Sequence, residues 1–130
     1  MEYGKLVEMA YEVMENAYVP YSKFNVGAAL LTKSGKVYTG CNVECASYGA
    51  TNCAERTAIF KAVSEGEREF TAIAIVSRTR DITFPCGICR QVLSEFADEM
   101  DVILAKGMEY KVYKLTELMP YAFEKSELNK

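Results

Sequence analysis

Apolar residues at Tyr3, Leu6, Val7, Ala10, Met14 and Ala17 recur at three- and four-residue steps, which predicts an amphipathic helix at the start of the chain. Pro20 cannot continue a helix and biases Val19 toward extended backbone, so the helix ends before it. Tyr21-Ser22-Lys23-Phe24 reads as a connecting loop. Val26 to Thr32 then predicts a strand, and the small run Gly27-Ala28-Ala29 implies close approach by a neighbouring element. Lys33-Ser34-Gly35-Lys36 carries turn chemistry, and Val37 to Asn42 predicts the returning strand of a hairpin.

Glu44 to Thr51 is small and polar and predicts a loop. A helix is expected from about Cys53, with Ala54, Ala58, Ile59, Ala62 and Val63 as its inner face and Gly66 as its stop. Phe70 to Ser77 has the length and apolar character of a buried strand. Arg78 to Phe84 leads to Pro85, and a further helix is expected from about Gly87 through Glu99, carrying Ile88, Val92, Leu93 and Phe96. Asp101 to Ala105 predicts a strand, and Tyr110 to Leu115 another after a turn at Gly107. Thr116-Glu117-Leu118 opens a short turn or helix closed by Pro120, and the charged segment Tyr121 to Lys130 is expected to fray except at Phe123. The order αββαβαββ predicts a single domain over residues 1–130, a three-layer α/β/α sandwich with a mixed five-stranded sheet.

Composition narrows the function. The 130 residues are 50% apolar and 25% charged, ordinary for a globular chain, and the net charge of −3 supplies no basic field for a nucleic-acid partner. No apolar run approaches the roughly 18 residues of a membrane span, and Met1-Glu2-Tyr3-Gly4-Lys5 is not a signal peptide, so a cytoplasmic protein without a membrane partner is expected. Five cysteines is an odd count, and histidine is absent. Cys-His and Ser-His pairs are thereby excluded, and a zinc site would have to use thiolates or carboxylates.

Cys53-Ala54-Glu55 and the pair Cys86 and Cys89 supply such a set. Three thiolates can hold one Zn²⁺ and leave the fourth tetrahedral position to water, and a carboxylate beside that water can take and pass on its proton. Both cysteine groups fall where a helix begins, and helix N-termini stabilise thiolates. Three thiolates on Zn²⁺ leave a net charge of −1, so a group that withdraws charge from sulfur is expected; Arg56 and Arg90 stand next to Glu55 and Cys89. Other readings of the same residues are buried unligated cysteines, a closed structural zinc with Cys41 or Cys45 as fourth ligand, and a redox Cys-x-x-Cys.

Cys53-Ala54-Glu55 with Pro85-Cys86-Gly87-Ile88-Cys89 resembles the signature of the zinc-dependent nucleobase deaminases, with Cys53 where the described signature has histidine. The all-cysteine variant is similar to the short, homotetrameric cytidine deaminases. The similarity continues through Tyr21-Ser22-Lys23-Phe24-Asn25-Val26-Gly27-Ala28-Ala29, Gly40-Cys41-Asn42-Val43-Glu44, Asn52-Cys53-Ala54-Glu55-Arg56-Thr57-Ala58 and Arg90-Gln91. The resemblance implies the cytidine-deaminase-like fold, one Zn²⁺ per chain, and hydrolysis of cytidine and deoxycytidine in pyrimidine salvage. It implies Glu55 as the proton shuttle, Arg56 as the tuner of zinc charge, Asn42 and Glu44 on the ribose, and Phe24 on the pyrimidine, with Ala54 also at the substrate. Phe123, and Tyr48 near the same junction, would complete a neighbouring chain's site in a homotetramer. Cys41 and Cys45 lie outside the pattern and read as structural. The competing functions are a structural-zinc module that binds a protein partner, and a deaminase of another small aminated heterocycle, against which Asn42 and Glu44 argue because they fit a sugar hydroxyl.

Overall fold

The structure is a computed structural model and describes residues 1–97 and 99–129. A first helix α1 (Tyr3–Met14) precedes the hairpin β1 (Val26–Thr32) and β2 (Val37–Cys41). Helix α2 (Ala54–Ser64), strand β3 (Phe70–Ser77), helix α3 (Gly87–Phe96), the hairpin β4 (Asp101–Lys106) and β5 (Glu109–Lys114), and a short α4 (Leu115–Leu118) follow. Single 3-10 turns lie at Tyr48–Ala50 and Lys125–Asn129. The sheet runs β2-β1-β3-β4-β5, with β3 and β4 parallel and the other neighbours antiparallel. This is the expected mixed five-stranded sheet between helices.

Period-two alternation in the inner strands divides the core. Ala29, Leu31, Ala72, Ala74, Val76, Ile103 and Ala105 face Leu6, Val7, Ala10 and Met14 of α1. Ala28, Leu30, Ile73, Ile75, Val102 and Leu104 face Ala54, Ala58, Ile59 and Ala62 of α2 and Leu93 of α3. Alanine is abundant beneath α1, which lets that helix sit close. A Cβ at Gly27 would come within 2.1 Å of the Ala10 carbonyl oxygen, and one at Gly40 within 2.6 Å of the Ala54 carbonyl oxygen, so any side chain at either position would push a helix off the sheet. Among the described residues, no helix is long and apolar enough to cross a membrane.

Four boundaries differ from expectation. Helix α1 stops at Met14, and Tyr18 instead makes an isolated bridge to Val43. β2 ends at Cys41, because the Asn42 side chain turns back to the chain before β1. Leu115 leaves β5 to open α4: Glu117 accepts from the Lys114 N–H at 2.8 Å, which fixes a helix start, and Leu115 is buried beneath it. Helix α3 ends at Phe96, with Ala97 extended; Asp98, within the expected helix, lies outside the described residues. Ile88 is not on its inner face but 61% exposed, since the stripe through Cys89 and Leu93 meets the core instead. The tail carries a 3-10 turn where its charge predicts fraying, and its last residue, Lys130, is also outside the described residues.

Candidate active site

Strands β2 and β3 both lie antiparallel to β1 and therefore run the same way, and each hands over to a helix beyond its carboxyl end. The excursion from 44 to 51 is closed by paired backbone hydrogen bonds between Val43 and Asn52, 3.0 and 2.9 Å, which return the chain to β2 just before Cys53. Cys53 is the N-cap of α2 and Cys86 the N-cap of α3, and neither makes the side-chain capping bond that serine or aspartate would supply. Cys89 sits one turn into α3 and is buried.

Two helix N-termini thus bring three sulfurs together. The Sγ atoms of Cys53, Cys86 and Cys89 lie within 4.8 Å of one another, and those of Cys53 and Cys86 are 3.7 Å apart. Tetrahedral zinc with Zn–S bonds of about 2.3 Å sets sulfurs roughly 3.8 Å apart, so this donor set fits the ion, and it fits one per chain. Cys41 and Cys45 are free cysteines outside the cluster; the Cys45 N–H donates to Thr51 Oγ1 at 3.1 Å. The three sulfurs do not share charge equally. The Cys89 thiol and Arg56 hold Cys53 down to about 5, whereas the hydrogen bond to Cys53 and burial push Cys89 up. Binding a cation displaces such thiol protons.

Arg56 donates from Nη2 to Cys53 Sγ at 3.3 Å. Arg90 does not reach sulfur. Its Nε donates to the Pro85 carbonyl and its Nη1 to the Leu118 carbonyl, both at 2.8 Å, so it ties the Cys86 loop to α4. Adjacency to Cys89 in sequence points its side chain elsewhere, because the first turn of a helix sends neighbouring residues to different faces.

Glu55 is 4% exposed. Its position in the first turn of α2 favours ionisation, yet burial dominates and raises its pKa from 4.5 to about 7, with the Cys53 charge adding to the rise and Arg56 opposing it. A carboxyl poised near neutrality can both accept and return a proton.

A cavity of about 300 Å³ opens onto this cluster. Cys53, Ala54, Glu55 and Cys86 line it together with Phe24, Val26, Asn42 and Glu44. Asn42 accepts from the Val26 N–H at 2.9 Å and donates to the Phe24 carbonyl at 2.8 Å, holding the backbone on either side of Asn25. Glu44 accepts from the Tyr21 and Ser22 N–H groups, each at 3.1 Å, and from the Ser22 hydroxyl, contacts that lower its pKa. Tyr48 and Phe123 do not line this cavity. Tyr48 is 74% exposed with its ring against Tyr21, and Phe123 is 59% exposed, its backbone clasped by Gln91 at 2.7 and 3.1 Å. Sequence pattern does not reveal five further lining residues with functional groups or aromatic surface, Ser22, Thr51, Asn52, Thr83 and Phe84. The one available signal is position: Phe84 directly precedes Pro85-Cys86 and is held extended there.

Three cysteine sulfurs facing one centre at converging helix N-termini, with a protonatable carboxyl beside them, fit a metal-dependent hydrolytic site. The family pattern described as "Cytidine and deoxycytidylate deaminase zinc-binding region" matches residues 1–105. Cytidine deaminase of Sporosarcina psychrophila is 47% identical over 131 residues, covering 99% of this chain and 96% of that protein. The crystal structure of cytidine deaminase from Burkholderia pseudomallei superposes with a TM-score of 0.90 at 49% identity, covering 95% of this chain and 100% of that one. Blasticidin-S deaminase of Bacillus cereus is 34% identical over 130 residues, covering 94% of this chain and 92% of that protein. The chain belongs to the cytidine and deoxycytidylate deaminase zinc-binding family, and its chemistry is that of a zinc-dependent deaminase.

Proposed function

We propose that residues 1–130 act as one deaminase domain that hydrolyses cytidine and deoxycytidine to uridine and deoxyuridine with release of ammonia. The observation that carries this reading is the buried Glu55 carboxyl, near neutrality at about 7, in the wall of a cavity it shares with Cys53 and Cys86. Zinc, when bound by Cys53, Cys86 and Cys89, supplies the Lewis acidity that makes water a nucleophile near neutral pH. Glu55 takes one proton from the attacking water and delivers it to ring N3 as the hydroxyl adds to the ring carbon. It then takes the second proton from that hydroxyl and passes it to the amine, so that the carbonyl forms as ammonia leaves. Arg56, bonded to the Cys53 sulfur, draws charge from the thiolates and so keeps the centre acidic. Phe24 packs on the base, and Ala54 borders it at the start of α2.

Asn42 and Glu44 serve the ribose. Their bonds to the 21–26 segment already fix them, and each retains acceptor capacity; Asn42 also keeps a second amide proton. Glu44 is ionised at neutral pH and repels a phosphate at the sugar end, which favours nucleosides over nucleotides. Phe123 and Tyr48 stand outside their own chain's cavity and complete a neighbour's in a homotetramer. Reduced thiolates suit the cytoplasm, and a nucleoside product suits pyrimidine salvage, with neither nucleic acid nor membrane as partner.

The test is ammonia release from cytidine, deoxycytidine, cytosine, CMP, adenosine and blasticidin S. Turnover confined to the two nucleosides supports the reading. Turnover of blasticidin S alone would assign the other-heterocycle reading, to which the Bacillus cereus relative lends weight. No turnover of any compound by zinc-loaded protein would leave the structural-zinc module.

A further inference from the structure

The metal end of the cavity has an aromatic wall that neither the proton relay nor the ribose contacts use. We infer that Phe84 is a substrate-contacting, specificity-determining residue that faces the C5 edge of the pyrimidine and limits what can be attached there. This rests on the reading of the site as one for cytidine. Phe84 lines the same cavity as Phe24, Glu55 and Cys86 and is 47% exposed.

Its outer contacts hold it in place. The ring lies 5.7 Å from that of Tyr113, and the Arg90 guanidinium carbon is 6.0 Å from its centroid. Pro85 keeps the Phe84 backbone extended, and Arg90 anchors Pro85 through its carbonyl at 2.8 Å. An aromatic ring braced by two neighbouring side chains, about half exposed and lining the cavity, is a preformed apolar wall rather than a filler of the core.

The edge it meets follows from the chemistry. The reacting ring carbon has two ring neighbours, N3 and C5. Glu55, on α2, must face N3 to pass its proton. Besides α2, the loop before α3 is the element that brings residues to the cavity beside the thiols, supplying Thr83, Phe84 and Cys86, and to it we assign the remaining edge, C5. Phe84 is two residues from Cys86 in the chain, whereas Asn42 and Glu44 come from the segment after β2.

The experiment measures zinc content and steady-state kinetics of the wild type, Phe84→Ala, Phe84→Leu and Phe84→Tyr with cytidine, deoxycytidine and a cytidine methylated at C5. Wild-type turnover of cytidine tests the underlying reading by itself, before any variant is compared. For Phe84→Ala, the KM for cytidine and deoxycytidine should rise together roughly two- to tenfold, as loss of one aromatic contact against the edge of a ring does. The preference for the methylated nucleoside over cytidine, taken as the ratio of their kcat/KM values, should rise about tenfold, the usual worth of a single excluded carbon. Phe84→Tyr should keep the wild-type KM for cytidine. Phe84→Leu preserves apolar bulk against Tyr113 and reads the same preference should the alanine variant fold poorly. A lower melting temperature with unchanged KM and unchanged preference for the methylated nucleoside, at one zinc per chain, would overturn the proposal and leave Phe84 as packing for Tyr113.

Discussion

The two ends of the cavity are built differently. At the metal end, Cys53, Glu55, Arg56 and Cys89 stand on the first turns of α2 and α3, within a few residues of rigid helix starts. The three cysteines and the proposed proton shuttle all come from one chain. At the substrate end, Phe24, Asn42 and Glu44 lie on or beside loops, their positions set by side-chain bonds to the 21–26 segment, and the aromatics Tyr48 and Phe123 are outside the cavity. The reacting centre is therefore preorganised by the fold, whereas recognition depends on loops and, as proposed, on a second chain. Substitutions of the cysteines, Glu55 and Arg56 should act on turnover and metal, and those of the side chains that contact substrate on KM.

The largest expected effect is at Cys53. Cys53→Ala removes one of three ligands and the acceptor of Arg56, and zinc content and activity should both fall to background. Cys41→Ser and Cys45→Ser should each keep one zinc per chain by atomic absorption. Full metal in Cys53→Ala would show that the cluster is not the centre.

Glu55→Gln should keep zinc and lose about 10²–10⁴ in kcat, the usual contribution of one positioned acid–base group. It should also stabilise the fold, with a definite pH dependence. Folded Glu55 titrates at about 7 against 4.5 unfolded, so its protonation favours the folded state fully below 4.5, and that contribution is lost as pH rises toward 7. At about 1.4 kcal/mol per pKa unit, the whole change is about 3 kcal/mol. Urea unfolding of both proteins in the metal-free form should show the advantage of the variant growing between pH 4.5 and 7 and level above it. A constant difference across that range would mean that Glu55 is ionised throughout.

Arg56→Ala should act more mildly. The Cys53 sulfur would retain charge now drawn off by the guanidinium, so water activation would need higher pH. The rate should reach its plateau at higher pH with zinc retained, and an unmoved profile would reduce Arg56 to a helix-packing residue.

Legibility in the sequence follows the same division. Val26–Thr32 and Phe70–Ser77 coincide with the strands as formed, because both are short buried runs bounded by breakers or charge. The cysteines and Glu55 are legible because ligand spacing is local and each group opens a helix. Arg90 misleads because adjacency says nothing about where a long side chain ends, and the carbonyls of Pro85 and Leu118 capture it. Ile88 misleads in another way: a helix stripe drawn from apolar residues alone cannot weigh Cys89, whose sulfur must face α2. Phe84 resembles a loop residue because its cavity is formed by segments distant in sequence. Asn42 and Glu44 are legible as polar groups, but their grip on residues 21–26 depends on a hairpin register no local pattern contains.

The smallest expected effect, and the sharpest test of the contrast, is at Phe123. Its backbone is fixed by two hydrogen bonds to Gln91 on α3, yet its ring is 59% exposed and away from the cavity of its own chain. An aromatic so firmly mounted and so little buried is suited to reach another chain, where covering the base would also exclude water. Phe123→Ala should raise KM roughly two- to tenfold, the worth of one aromatic contact, with zinc content and kcat at saturation near wild type. Gln91→Ala should raise KM in the same direction by loosening the mount. Chains carrying Glu55→Gln and chains carrying Phe123→Ala should then rescue each other when refolded together. In a mixed tetramer, an intact Glu55 from one chain meets an intact Phe123 from the next, so a fraction of sites should regain the wild-type KM. A monomer by light scattering with wild-type KM would remove the second chain from the site and make Phe123 a surface residue.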